Sequence, residues 1–209
     1  MIRFIQYSKQ YNNLPVISAD LELPHGVYWL KGENGSGKTT LLRSIAGLIP
    51  FSGKIEVAGT EINTDRIGYR HKVNYADAEP QYPAFLTGAD LIQFYTETKN
   101  ADKQQAIVLA NTLGSGTYLN NKIGTYSSGM AKKLSLVLGF IGKPSLILLD
   151  EPLITLDQQA VASLLQLIAQ TYLSGVSFLI TSHQEFNLAG SPGSRLQIAD
   201  KQLLLADNR

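Results

Sequence analysis

Residues 32 to 39 read Gly-Glu-Asn-Gly-Ser-Gly-Lys-Thr, an instance of G-x-x-x-x-G-K-[ST] with three glycines inside seven residues. That glycine density suits neither a helix interior nor a strand, so the segment is a turn whose neighbours decide the architecture. Ahead of it, Val27 to Leu30 is a short apolar run ending at Lys31. Behind it, Thr39 to Leu48 sets Leu41, Leu42, Ile45, Ala46 and Leu48 on one helical side, with Gly47 and Pro50 marking the end. Strand, glycine turn and helix form one unit of a phosphate-binding loop. Glycine admits backbone conformations closed to other residues, so several N–H groups converge on phosphate oxygens, and the helix adds its positive end. The expected phosphate contacts are Asn34, Gly35, Ser36, Gly37, Lys38, Thr39 and Thr40. Lys38 is expected to reach the β- and γ-phosphates and the Thr39 hydroxyl to ligate Mg²⁺.

The rest of the chain extends this α/β pattern. Strands are expected at Ile2 to Tyr7 and Lys54 to Ala58. Ser145 to Leu149 and Val176 to Thr181 read as buried strands of a parallel sheet. Arg195 to Ala206 reads as two strands joined at Ala199 to Lys201. Helices are expected over Gly88–Thr98, Ala101–Leu113 and Ser127–Phe140, with Asn111 to Gly129 a loop leading into the third. A further helix is expected from an N-cap at Asp157 through Tyr172. The expected fold is therefore a mixed sheet with central parallel strands flanked by helices. One domain spans 1–209: a core from 1–86 and 141–209, interrupted by a helical subdomain at 87–140.

Composition removes several functional classes. Eighteen Lys+Arg against 17 Asp+Glu leave a formal charge of +1, so no net field draws the chain to nucleic acid. With no cysteine, disulfides and thiolate metal sites are excluded. The N-terminal MIRFIQYSKQ lacks the apolar stretch of a signal peptide, and no run approaches the roughly 20 apolar residues that span a bilayer. Any membrane contact is expected to come through a partner.

Further motifs narrow the chemistry. Leu146 to Leu149 precede Asp150-Glu151, so a buried strand delivers two carboxylates about 110 residues after the loop. Tyr126-Ser127-Ser128-Gly129-Met130 opens a helix, and Ile180-Thr181-Ser182-His183 follows a strand. In this order and spacing they resemble the ATP-binding-cassette family, over residues 1 to about 206. The resemblance implies a P-loop NTPase with a RecA-like core and a helical subdomain. It implies ATP and Mg²⁺ as ligands, with Thr39 and Asp150 at the metal. Lys38, Glu151 and His183 are its catalytic residues: Glu151 polarises the attacking water and His183 hydrogen-bonds the γ-phosphate. Tyr-Ser-Ser-Gly-Met resembles the signature sequence, usually Leu-Ser-Gly-Gly-Gln, in the form seen in lipid and polysaccharide exporters. Ser127 and Gly129 then face the ATP of a second subunit, and Asp157 resembles the aspartate that touches that subunit. Tyr11 is the candidate for stacking on adenine, with Tyr7 as rival.

One position departs from the family. The glutamine expected between the first half and the helical insertion aligns with Ala78, leaving Asp77, Glu79 or Gln81 as substitutes. Gln81 to Leu86 aligns with the segment that lines the groove for a membrane subunit, or else packs as core. The resemblance thus implies a homodimer or paired ATPase, cytoplasmic and peripheral on the inner face of the cell membrane. It works through an integral membrane subunit, with export preferred over import and no nucleic acid expected. The short chain resembles compact exporter ATPases such as the heme-exporter subunit. The alternatives are a soluble non-transport ATPase of the superfamily and an ATP-holding assembly module with little turnover.

Overall fold

In the computed structural model, which describes residues 1–182 and 194–206, ten strands form one mixed sheet. The elements in chain order are β1 (Ile2–Tyr11), β2 (Leu14–Leu23), β3 (Val27–Lys31), α1 (Lys38–Ile45), β4 (Ser52–Val57), β5 (Thr60–Glu61), α2 (Arg66–Lys72) and β6 (Val73–Ala76). They continue as α3 (Gly88–Thr98), α4 (Lys103–Thr112), α5 (Ser128–Phe140), β7 (Leu146–Leu149), α6 (Gln158–Leu173), β8 (Ser177–Thr181), β9 (Ser194–Ala199) and β10 (Gln202–Ala206). The strand order is β5-β4-β1-β2-β10-β9-β3-β8-β7-β6. From β9 to β6 all neighbours are parallel, with Leu30 beside Thr181 and Leu149 beside Ile180. Hairpins β1–β2 and β9–β10 and the β4 edge supply the antiparallel part.

The parallel strands are buried on both faces, as their unbroken apolar runs require. Leu146 and Leu148 of β7 join Leu179 of β8 in a core with Leu41, Leu42 and Ile45 of α1. Ile147 and Leu149, with Phe178 and Ile180, face the opposite core, which takes in Leu134 and Val137 of α5 and Leu164 of α6. The period-2 alternation of side chains thus sorts one strand into two cores. Helix α3 begins with a reciprocal cap: Thr87 Oγ1 accepts from the Asp90 N–H at 3.1 Å, and Asp90 Oδ2 accepts from the Thr87 N–H at 2.8 Å.

Four elements were not expected from sequence pattern: β2, β5, α2 and β6. Strand β1 continues four residues past Tyr7 and turns at Asn12-Asn13, both with positive φ, into β2. Register shifts between Phe4 and Tyr7 and between Lys9 and Gln10 break its alternation, with Gln6 at φ 46°. Helix α2 has seven residues, of which only Tyr69 is buried, so it has no apolar stripe to read; Asp65 caps it by accepting from the Gly68 N–H. The expected loop at Asn111 to Gly129 contains two short 3₁₀ turns, at Gly116–Tyr118 and Ile123–Thr125.

Candidate nucleotide site

Three neighbouring parallel strands, β3, β8 and β7, end on the same edge of the sheet. The glycine loop follows the first, Ser182 the second and Asp150 the third, so residues scattered along the sequence converge at one rim. Within the loop Gly35 and Gly37 have φ of 79° and 102°, conformations that an L side chain strains to adopt. A Cβ on Gly37 would also lie 3.1 Å from Val16 Cγ1. Gly37 is the N-cap of α1 and no side chain caps that end, leaving its first N–H groups for an anion. The Lys38 ammonium folds back over the loop and donates to the carbonyls of Gly32 at 2.7 Å and Glu33 at 3.0 Å. Asn34 and Gly35 are exposed; Ser36 to Thr40 are half-buried. Ser36 Oγ is buried without a hydrogen-bond partner.

Asp150 is 1% exposed, and both its carboxylate oxygens accept from hydroxyls: Oδ1 from Thr181 Oγ1 at 2.6 Å and Oδ2 from the Tyr75 hydroxyl at 3.3 Å. Burial, then the charges of Asp150 and Asp77, push the Tyr75 phenol well above its ordinary range, so it remains a donor. Thr181 Oγ1 in turn accepts from the Glu151 N–H at 2.8 Å, and one hydroxyl fixes both acidic residues. Glu151 is half-buried with φ 43°, a left-handed conformation uncommon outside glycine and asparagine. His183 lies outside the described residues.

Tyr11 and Tyr7 part company. Tyr7 is a core residue, 1% exposed, whose hydroxyl donates to Ser44 Oγ at 2.9 Å; burial pushes its pKa up to about 12. Tyr11 is 49% exposed at the β1–β2 turn, with the Lys9 ammonium 4.4 Å from its ring centre. Of the two, only Tyr11 presents a ring face to solvent.

Ser127 caps α5 by accepting from the Met130 N–H at 3.2 Å, and Ser127 and Ser128 are exposed. Gly129 is confined: a Cβ there would stand 2.9 Å from the Thr155 carbonyl. Lys133 reaches Asp157 Oδ2 at 2.6 Å, while Asp157 Oδ1 accepts from the Ala160 N–H at the start of α6. The Lys133 hydrogen bond, then that of Ala160, holds the Asp157 carboxyl below its ordinary range. The exposed turn at Ser127 and the loop before α6 are thus tied to each other at the surface.

The segment after β6 answers which residue stands in for glutamine at Ala78. Asp77 is committed elsewhere, its Oδ2 accepting from Arg43 of α1 at 3.1 Å. Glu79 and Gln81 are exposed, and the side chain that does enter this region is Lys132 of α5. Leu86 and Tyr82 pack against the helical core, whereas Phe85 is 73% exposed, so the segment divides between core and surface. A groove of about 460 Å³ runs between α2 and α3, lined by Leu48, Ile67, Tyr75, Phe94 and Lys99 among others.

Thr181, Tyr75, Arg43 and Lys132 are site residues absent from the sequence-based set. Lys132 alone had a local signal: it shares the stripe of Leu136 and Gly139 on the buried side of α5. No group of three or more His, Cys, Asp or Glu side chains among the described residues forms a metal cage. No helix among them is long and apolar enough to cross a membrane.

A family model described as "ABC transporter" matches residues 17–154. The uncharacterized ABC transporter ATP-binding protein YybJ of Bacillus subtilis (strain 168) is 32% identical over 164 residues, covering 76% of this chain and 73% of that protein. The cytochrome c biogenesis ATP-binding export protein CcmA of Histophilus somni (strain 129Pt) is 32% identical over 171 residues, covering 80% and 76%. A solved dimeric structure of a post-hydrolysis state of an ATP-binding cassette, bound to ADP and Pi, shares the fold. It matches with a TM-score of 0.84 at 17% identity, over 100% of both chains.

Proposed function

Because the chain belongs to the ABC transporter family and is an ATP-binding, ATP-hydrolysing cassette, we propose that two copies, or one copy and a paired ATPase, close around two ATP molecules and drive a separate membrane subunit. The observation that carries this reading is the division of the site. The glycine loop and the Asp150–Glu151 pair share the rim of β3, β8 and β7, while Ser127 and Ser128 are exposed on another element, with Gly129 half-buried behind them. A surface turn with an exposed serine hydroxyl at the start of a helix suits the phosphates of a second molecule.

In the proposed cycle the loop N–H groups and Lys38 hold the β- and γ-phosphates, exchanging the Gly32 and Glu33 carbonyls for phosphate oxygens. Tyr11 stacks on adenine. The donor set fits Mg²⁺: one buried carboxylate, Asp150, and one hydroxyl, Thr39, suit an ion that keeps water and phosphate oxygens in its shell. When bound, that ion neutralises charge on the transferring phosphoryl group. Glu151 accepts a proton from the water that attacks the γ-phosphorus as the bond to the bridging oxygen breaks, giving ADP and phosphate. His183 contributes a hydrogen bond to the γ-phosphate. Ser127 and Gly129 close the site from the other copy.

The groove between α2 and α3, with the exposed Phe94 on its wall, is the proposed seat of the membrane subunit, with export the direction favoured by likeness to an export protein. The chain would then lie at the cytoplasmic face of the membrane through that partner alone. The test is Glu151→Gln, which keeps the shape of the site but removes the base. With ATP it should elute as a dimer and turn over ATP at least about 100-fold more slowly than wild type. A protein that remains monomeric with saturating ATP would sink the sandwich.

A further inference from the structure

Lys132 is 1% exposed, in a region where a lysine has no water to solvate it. Its Nζ donates to the carbonyls of Asp150 at 2.7 Å, Asp77 at 2.9 Å and Ala78 at 3.4 Å. An ammonium has three donors, and here all three have main-chain acceptors drawn from two strand ends. Asp150 follows β7 and carries the carboxylate assigned to the metal; Asp77 and Ala78 follow β6, where the family's glutamine is absent. The lysine itself stands one turn into α5, the helix that begins at Ser127. One side chain therefore joins the turn offered to a second copy and the two strand ends that handle the chain's own nucleotide. Burial lowers its pKa to about 8, and the carboxylates of Asp150, Asp77 and Glu151 oppose that shift, so it is an ammonium at neutral pH.

Resting on the assignment of Asp150 and Glu151 above, we propose that Lys132 is a positioning residue that couples the Ser127–Gly129 turn to the chain's own ATP, holding the 77–78 segment against the Asp150 backbone where an alanine side chain cannot. Lys132 touches neither substrate nor metal. It sets where the acidic pair stands relative to α5, so its loss acts on turnover and on closure of the two copies rather than on nucleotide affinity.

The experiment compares K132M, which has no donors, with K132Q, whose shorter arm reaches only one strand end. Removal of all three hydrogen bonds in K132M should lower kcat at least about tenfold, with KM and ATP affinity measured in EDTA within about twofold of wild type. K132Q should fall between, at about a threefold loss of kcat with the same KM. In the Glu151→Gln background, K132M should raise the ATP concentration for half-dimerisation at least about tenfold. Unchanged kcat and an unchanged dimerisation midpoint overturn the proposal. So does a parallel loss of kcat and ATP affinity with K132Q no better than K132M, which is the pattern of a packing defect alone. Should K132M fail to fold, K132Q decides by the same split of kcat from KM. Failure of Glu151→Gln to dimerise strikes the sandwich instead, and the kcat and KM comparison in the otherwise wild-type chain still judges Lys132.

Discussion

Replacing Thr181 by valine keeps the shape of a side chain that is 0% exposed and removes one hydroxyl with two partners. That hydroxyl donates to the Asp150 carboxylate at 2.6 Å and accepts from the Glu151 N–H at 2.8 Å. A hydrogen bond to a charged group contributes about 1.5–3 kcal/mol, and stranding a buried N–H costs about 1–3 kcal/mol. The Tyr75 hydroxyl still serves the other carboxylate oxygen, so the lower part of the sum applies, about 3 kcal/mol. For a chain of this length that is a fall in Tm of about 6–12 °C. Thermal unfolding without nucleotide measures it against T181S, which keeps the hydroxyl and loses a methyl group for about 1 kcal/mol. In a double-mutant cycle with D150N, the valine should cost at least about 1 kcal/mol less than it does beside the charged aspartate. A T181V protein that melts within a degree or so of wild type, or above T181S, refutes the claim that this hydroxyl bears on both acidic residues.

Glu151, at φ 43°, carries backbone strain of about 1–2 kcal/mol that glycine does not feel, so E151G should abolish turnover while leaving stability equal or higher by about 1 kcal/mol in urea denaturation; a clear loss of stability would show the conformation to be unstrained. Lys99 donates to the Arg70 and Val73 carbonyls, and burial, then repulsion from Arg70, lowers its pKa to about 8. Between that value and the ordinary lysine range the unfolded chain binds the extra proton, so stability rises with pH across the window and is level below it on this account. K99M should therefore gain about 1 kcal/mol less than wild type between pH 7.5 and 9.5, and parallel urea midpoints would count against it.

What was legible in the sequence was local. The loop, its flanking strand and helix, and the Leu146–Leu149 run before Asp150 each declare themselves within a dozen residues, because glycine density and apolar runs are properties of neighbours. Strand β2 was not among the expected strands, although its cue was legible: Ile17, Ala19, Leu21 and Leu23 alternate with Ser18, Asp20 and Glu22 after the Asn12-Asn13 turn. The supports of the site, by contrast, were hidden. Thr181 meets Asp150 across 31 residues and Lys132 meets Asp77 across 55, so each contact exists only after the parallel strands have been ordered side by side. A threonine ending an apolar strand carries no mark of its role, and a lysine on the buried stripe of a helix is marked as buried but not for what it meets. Tyr7 and Tyr11 show the same limit, because which aromatic faces solvent depends on where β1 bulges.

The arrangement around Asp150 also explains why the departure at Ala78 need not be repaired by a neighbouring acid. A guanidinium within about 4 Å of Asp150 would compete with a cation by roughly 4 kcal/mol at an effective dielectric of 20. Arg43 is held near Tyr75, whose hydroxyl donates to Asp150. Asp77 takes that guanidinium at 3.1 Å, and among the described residues the Asp150 carboxylate accepts from hydroxyls. Hydroxyls stabilise the carboxylate without cancelling its charge, so it retains its attraction for a divalent ion. Lys132 also approaches, and it bonds the Asp150 carbonyl rather than its carboxylate. Asp77 is thus needed where it stands, as the counter-ion of Arg43, and a carboxylate so occupied is a poor replacement for a glutamine that must move with nucleotide state. The side chain that spans the gap is the lysine on α5, and it does so from the helix that opens at Ser127.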